Sequence, residues 1–321
     1  MRGYLIVILA GLGLAWPAVA AQPEPYPVKP VRVVVPYAAG GSNDLVSRAI
    51  MPKLSEAWKQ SIIVDNRAGA GSLIGTEIVV RAVPDGYTLL ATSGALAINV
   101  SLYRLSFDPL KDLAPVAFMA QMPYVLAVHP SVPASSVQEL INYAKANPGK
   151  LSFASAGIAT ATHLTGEMFK SMAKINLLHV PYKGGGPALN AIIGNEVQVV
   201  FNVVSGTLPH VRSGRLRALA VSSAKRADAA PELPTISEAG VPGFDVVSGY
   251  TIYAPAGTPR AIVNKINSGI NDALRQQDMK ERFLTLGVTP IISSPESLTA
   301  YLKSEIARWG KIIREMGIKP E

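Results

Sequence analysis

Three short turns hold the residues best placed to do chemistry. The first, Ala38 to Asp44, follows the run Val33-Val34-Val35 and contains Gly40-Gly41, Ser42 and Asn43. The second, Ser155-Ala156-Gly157 with Thr160, Thr162 and His163, follows the apolar run from Leu151. The third, Lys183-Gly184-Gly185-Gly186-Pro187, follows Leu177 to Pro181. Each opens a helical pattern. The first N–H groups of a helix have no partner within it, so a strand, a small-residue turn and a helix form a cradle for negative charge. Such a cradle can hold a nucleotide phosphate, a reaction intermediate or a ligand that is only carried.

The chemistry can be narrowed by what is missing. A further glycine turn, Gly69-Ala-Gly71-Ser-Leu-Ile-Gly75, has GxGxxxG spacing, and Leu90 and Ala91 stand where a ribose-binding acid would be needed. There is no Walker sequence, so nucleotide binding is not supported. His129, His163, His179 and His210 are widely spaced, with no HExxH pattern, which gives a metal site little support. A Ser-His-Asp hydrolase would want a GxSxG elbow after a strand, and none exists. His163 reads either as a ligand contact or as a residue locking its turn by backbone hydrogen bonds. His179 reads as a packed strand residue. Lys183 could meet a carboxylate or sit solvated at a loop tip. Asn202, among Val199, Val200, Phe201, Val203 and Val204, is either a strand-end residue facing a cleft or a satisfied core amide.

Continuous apolar strands alternating with amphipathic helices position these turns, the pattern of a parallel sheet covered on both faces. One series runs from Val33 to Ala91. A second starts near Tyr124, with Ser136 and Glu139 marking a helix start and Asn147-Pro148-Gly149 its end. Pro187 fits the first position of the helix after the third turn. Gly249 to Ala254 reads as a return strand. The C-terminal part then reads as two helices, the last beginning at Ser294-Pro295-Glu296 with a core stripe of Leu298, Leu302, Ile306, Trp309 and Ile313. The fold class is therefore α/β with two lobes, the C-terminal part returning to the first.

The N-terminus bears on compartment. Arg2, the apolar run Tyr4 to Leu14 and Ala18-Val19-Ala20 have the layout of a secretory signal peptide cleaved near Ala20. Cleavage would leave Ala21 to Pro25 as an extended start. There is no cysteine, which excludes disulfides, thiolate nucleophiles and zinc–cysteine sites. With 30 Lys and Arg against 22 Asp and Glu the net charge is +8, falling to +7 without Arg2. That favours an anionic partner, yet the basic residues form no stripe, so nucleic acid is not expected.

Several stretches together are similar to one family. They are Pro36-Tyr-Ala-Ala-Gly-Gly-Ser-Asn-Asp44, Asp65-Asn-Arg-Ala-Gly-Ala-Gly71, Pro84-Asp-Gly-Tyr-Thr-Leu-Leu90 and Val180-Pro-Tyr-Lys-Gly-Gly-Gly-Pro-Ala-Leu189. Gly214 to Ala220, Pro234 to Gly240 and Ala254 to Pro259 continue the match in order. The chain resembles the periplasmic solute-binding proteins of the tripartite tricarboxylate transporter family, the Bug proteins. The resemblance implies a two-lobed periplasmic-binding-protein fold of type II, each lobe a mostly parallel sheet flanked by helices. It implies closure on a small organic anion, usually a carboxylate, with no cofactor and no catalytic residues. Carried onto matching positions, the ligand-binding residues are Ala39, Gly40, Gly41, Ser42, Asn43, Ser93, Ser155, Ala156, Gly157, Thr160, Thr162, Lys183, Gly184, Gly185 and Asn202. The family often has Asp where Asn202 stands, a small hydroxyl residue at Asn43 and Trp near Gly249, so the ligand does not transfer.

The expected organisation is a signal peptide over 1–20, a first lobe of 21–122 plus 249–321, and a second lobe of 123–248. The hinge falls at crossovers near Met122 and Ser248. The expected function is capture of the anion by a monomer and delivery to the membrane subunits of a tripartite transporter. Two alternatives differ in class: a receptor that signals after binding, and an exported enzyme using Ser155 or His163.

Overall fold

The computed structural model describes residues 25–158 and 160–318; the expected leader, and the extended start as far as Glu24, lie outside the described residues. The first series of elements is β1 (Val31–Val35), α1 (Ser42–Trp58), β2 (Ile62–Asn66), α2 (Leu73–Val80), β3 (Thr88–Thr92) and α3 (Ala95–Leu102). A 16-residue strand, β4 (Leu113–Val128), leads into α4 (Val137–Ala146), β5 (Ser152–Ser155), α5 (Ala161–Ala173), β6 (Leu178–Pro181), α6 (Gly185–Ile193), β7 (Val199–Val203), α7 (Val204–Arg212) and β8 (Arg217–Val221). The chain returns through β9 (Val247–Pro255) to α8 (Arg260–Arg275), α9 (Gln277–Leu286), β10 (Thr289–Pro290) and α10 (Pro295–Met316).

The valine run of β1 shows why both sheet faces are covered. Val31, Val33 and Val35 belong to one core cluster with Val46 and Ile50 of α1, while Val34 belongs to another with Val79 of α2. Alternate side chains point to opposite faces, and both faces are roofed by helices, so Val33 to Val35 are all apolar and buried, while the half-buried Arg32 at the strand's start pairs with Asp65 of β2. β2 and β3 flank β1 in parallel.

The strand order is β2-β1-β3-β9-β4-β7-β5-β6, with β8 and β10 also pairing β4. The first lobe thus reads β2-β1-β3-β9-β4 and the second β6-β5-β7-β4-β8. Both have the same pattern, second-first-third-reversed-fourth, and β4 is the fourth strand of one lobe and the reversed strand of the other. The strands of each lobe run mostly in one direction, as expected. The antiparallel ladders all involve β4 or β9.

These two strands cross between lobes side by side, with Met122 opposite Ser248 and Pro123 opposite Val247. Sequence reading placed a strand only from Tyr124. Pro115 and Pro123 hid the first half, because proline removes a ladder donor. Here Pro115 borders a register shift and Pro123 sits at the crossover. The C-terminal part holds three helices rather than two, since Gln276 takes an extended conformation (ψ 142°) and separates α8 from α9.

The glycine turn after β2 has a packing role. A Cβ on Gly75 would lie 2.7 Å from Pro36 Cβ and 2.8 Å from the Arg67 carbonyl oxygen. Gly75 therefore lets α2 press against the end of β1 and fix the segment that starts the first cradle. α10 begins at the expected Ser294 cap. It buries Leu298, Leu302, Trp309 and Ile313 in a cluster shared with Leu90 of the first lobe and Phe153 and Phe201 of the second. No helix among the described residues is long and apolar enough to cross a membrane.

Candidate functional site

A cavity of about 660 Å³ opens between the lobes. It lies beyond the carboxyl ends of β1, β3, β5, β6 and β7, where ligands enter open α/β sheets. The first turns of four helices line it: Ser42 and Asn43 of α1, Ala161 and Thr162 of α5, Gly185 and Gly186 of α6, and Ser205 and Gly206 of α7. Each first turn presents N–H groups with no acceptor in its own helix and the positive end of the helix dipole. Among the described residues lining the cavity there is no Lys, Arg, His, Asp or Glu. Negative charge placed here would meet oriented dipoles rather than a counter-ion.

In the first lobe, Gly40 takes φ 81°, a left-handed turn that suits glycine, and Gly41 is the N-cap of α1 without a side-chain cap bond. Capping falls neither to Ser42 nor to Asn43. Instead the buried Asp44 carboxylate accepts from Gly40 N–H at 2.9 Å and from Arg48 Nε at 2.8 Å. Burial alone would raise this carboxyl; the bonds from Gly40, Arg48 and Asn66, with the Arg48 charge, outweigh it and hold it below the ordinary range. Asp44 thus stays ionised, with its charge engaged by the loop and Arg48. Tyr37 shares a 2.8 Å hydrogen bond with Ser93 at the end of β3. Asn43 is 4% exposed, and neither its Oδ1 nor its Nδ2 has a hydrogen-bond partner.

In the second lobe, Ala156 N–H donates to Thr162 Oγ1 at 2.9 Å, and Thr160 caps α5 while donating to Gly157 O at 2.7 Å. Ser155 anchors this turn from below. Its Oγ accepts from Gly157 N–H, donates to Gly157 O at 3.1 Å and lies 2.7 Å from His179 Nε2. That network is complete when Nε2 carries the proton. The His179 ring stacks on His163 (centroids 3.8 Å apart) and on Phe153 (4.8 Å). The third turn is tied to the second by Gly184 N–H donating to Ala156 O at 3.0 Å. α6 starts at Gly185, so Pro187 is third in the helix rather than first, and two glycine N–H groups face the cavity ahead of it. Asn202 donates to Gly185 O at 3.4 Å and accepts from Val203 N–H at 2.9 Å.

The crossover strands supply the floor: Met122, Tyr124, Ser248 and Tyr250. The Tyr250 hydroxyl lies within hydrogen-bonding reach of Ser42 and Ser248. Burial, with the nearby Tyr37, pushes Tyr124 up to about 12 against a bond from Ser248. Burial and then Tyr124 push Tyr250 up as well. Both phenols are neutral donors at any physiological pH.

Comparison with known proteins places this geometry. The family described as "Tripartite tricarboxylate transporter family receptor" matches residues 46–318. The chain belongs to this receptor family. A protein of Pseudomonas sp. strain P51, "UPF0065 protein in tcbD-tcbE intergenic region", is 38% identical over 313 residues, 96% of this chain and 93% of that one. Protein BugT of Bordetella pertussis is 36% identical over 98% of this chain and 96% of its own. Among solved structures, "R. palustris Rpa4515 with adipate" has a TM-score of 0.82 at 35% identity, covering 92% of this chain and 100% of that one. MatC from Rhodopseudomonas palustris with bound malate has a TM-score of 0.77 at 32% identity, covering 90% and 100%. The periplasmic-binding-protein fold expected from the sequence is the one these receptor-family structures share.

Of the residues expected to bind ligand in this receptor-family chain, Gly40, Gly41, Ser42, Asn43, Ser93, Ala156, Thr160, Thr162, Gly185 and Asn202 line the cavity. Ala39, Ser155, Gly157, Lys183 and Gly184 stand behind or beside it. Ser155 is fully buried under its turn, and Lys183 is exposed. Sequence reading missed the floor tyrosines and the α7 start. Tyr124 and Tyr250 sit in apolar strands and read as core, and the α7 start lies just past Val203, where the apolar run gives no turn signal.

Proposed function

We propose that this protein is an exported periplasmic receptor that captures a small organic anion, a carboxylate, by closing its two lobes over it. It then delivers the ligand to the membrane subunits of a tripartite transporter. The observation that carries this reading is the convergence of four helix N-termini on one cavity that has no charged side chain in its lining. Carboxylate oxygens accept hydrogen bonds only, and such a donor-rich lining suits them. The volume is in the range of small-molecule sites. Adipate and malate accompany two solved relatives, which supports a carboxylate here.

The hinge is assigned to Met122–Pro123 and Val247–Ser248, dividing the chain into 21–122 plus 249–321 and 123–248. The ligand-contacting set is the cavity-lining group above, and the protein works as a monomer without cofactor. In this reading the ligand is carried unchanged, which fits a lining whose described residues include no Lys, His, Asp or Glu to act as a base.

Titration calorimetry and thermal unfolding against mono-, di- and tricarboxylates, amino acids and aromatic acids test the reading. At least one carboxylate is expected to bind and to raise the melting temperature; a ligand at a hundred times its Kd stabilises by about 2.7 kcal/mol. If no carboxylate does either, the reading fails. Recovery of the bound compound chemically unchanged, and loss of its uptake on deletion of the gene, separate transport from catalysis and from signalling.

A further inference from the structure

Four helices aim their first turns at the cavity, and in α5, α6 and α7 those turns hold no acid. α1 differs. Asp44 is its third residue, directly after the cavity-lining Ser42 and Asn43. An acid in the first turn steadies a helix, because its charge offsets the positive end of the dipole. At an anion site the same charge works against the ligand. A helix N-terminus carries roughly half a positive charge, and one carboxylate more than cancels it.

Arg48, one turn further along, reverses that loss. Its Nε donates to Asp44 Oδ1 at 2.8 Å, and among the described residues it is the one cation in ion-pair contact with Asp44. Asp65 of β2 is matched separately by Arg32 and Arg67. Asp44 and Arg48 together sum to no net charge, so the dipole of α1 is left to act on the cavity. Asp44 is buried while Arg48 is half exposed, so the carboxylate depends on this partner more than on water.

The pair also shapes the loop. Asp44 Oδ2 accepts from Gly40 N–H at 2.9 Å, while Arg48 Nη2 donates to Asn66 Oδ1 at 3.0 Å. Asn66 Nδ2 in turn donates to Tyr37 O at 3.1 Å. Tyr37 and Gly40 both line the cavity, and both ends of the segment between them thereby hang on one arginine side chain. Arginine suits this place, because its fork serves two acceptors at fixed geometry and a lysine ammonium does not.

We propose that Arg48 is a positioning residue for ligand capture, neutralising Asp44 so that the α1 terminus accepts a carboxylate. It acts from behind the cradle, since neither Arg48 nor Asp44 lines the cavity. This rests on the carboxylate reading above.

The test is calorimetry on the mature chain with adipate, L-malate, succinate, citrate and benzoate. Each of these acids that binds the wild type is expected to bind about tenfold more weakly to Arg48→Gln. Asp44→Asn keeps Arg48 and leaves an amide oxygen for Gly40 N–H, and should bind as tightly as the wild type or more so. The double variant Asp44→Asn with Arg48→Gln lacks the same ion pair, yet should bind roughly threefold or more tightly than Arg48→Gln alone. Arg48→Lys keeps the charge without the second bond and falls between the wild type and Arg48→Gln. A clamp that only holds the loop gives the opposite signs: Asp44→Asn weakens binding, and the double variant is no better than Arg48→Gln. That result, or an Arg48→Gln affinity within about twofold of the wild type, overturns the inference while leaving carboxylate capture intact. Should Arg48→Gln fail to fold, Asp44→Asn binding more tightly than Arg48→Lys supports the inference and the reverse order overturns it. If none of these acids binds the wild type, this inference falls together with the carboxylate reading.

Discussion

His179 and His163 are the residues whose chemistry is most changed by the fold. They lie face to face beside Phe153, with Glu167 and Lys170 nearby, and His179 holds Ser155 and so the second-lobe turn. Burial, the neighbouring His163 and Lys170 lower His179 to about 3, and burial first of all lowers His163. The folded protein keeps both rings neutral where the unfolded chain would protonate them. Above roughly pH 6.5 the two states bind the same number of protons at these sites. As pH falls below that, the unfolded state takes up protons first and stability is lost, continuously down to the folded value. For His179, which is only half-buried, we expect a loss of roughly 1 kcal/mol between pH 7 and pH 5. Urea unfolding at the two pH values checks this, and His179→Gln should flatten the dependence; an equally steep loss in the variant would refute the assignment. Sequence reading anticipated a packed, hydrogen-bonded His179, because a histidine inside an apolar strand has few other options. It could not anticipate the His163 stack, which depends on how α5 lies over β5 and β6. Nor could it tell Asn43 from a helix cap, since both uses suit the same residue at the same place.

At the level of elements, the crossover is held by one side chain. Ser222, fully buried just beyond β8, accepts from Tyr124 N–H at 2.8 Å and donates to Val246 O at 2.6 Å. Its backbone bonds the same two segments, with Ser222 N–H to Tyr124 O and Val246 N–H to Ser222 O, both 2.8 Å. Three strands are thus pinned where β4 and β9 pass between lobes. Ser222→Ala leaves the Tyr124 N–H and the Val246 carbonyl without their side-chain partner, and should destabilise by about 1–3 kcal/mol in denaturant unfolding. A change below measurement error would show the clamp to be dispensable. The pinning was not legible beforehand, for Ser222-Ser223 reads as an ordinary polar strand end. The helices of the second lobe were more readable, because caps such as Ser136 and Thr160 leave a local signature. α7 was not, since Pro209 breaks its pattern although a proline is tolerated in this short helix.

For the whole molecule, closure has a measurable outline. In the closure proposed above, hinge rotation at the crossover would bring the four helix N-termini together, and the radius of gyration from small-angle scattering should fall when a saturating carboxylate is added. An unchanged radius at saturation would exclude closure. The two-lobed α/β plan could be read from alternating apolar runs and helix patterns, as could the three cradles. The shared strand order of the lobes could not, because it is a property of pairing and leaves no repeat in the residues. That order has a consequence for biogenesis. β4 belongs to both lobes, and the first lobe's β3 pairs with β9, which follows it by some 150 residues of chain, with Leu90 opposite Tyr253. The amino-terminal third therefore has no finished edge until the carboxyl-terminal third has been made, and its folding is slow by topology. For a chain exported as proposed above, that delay would be an advantage at a translocation pore, since the polypeptide stays pliable until nearly all of it has been synthesised.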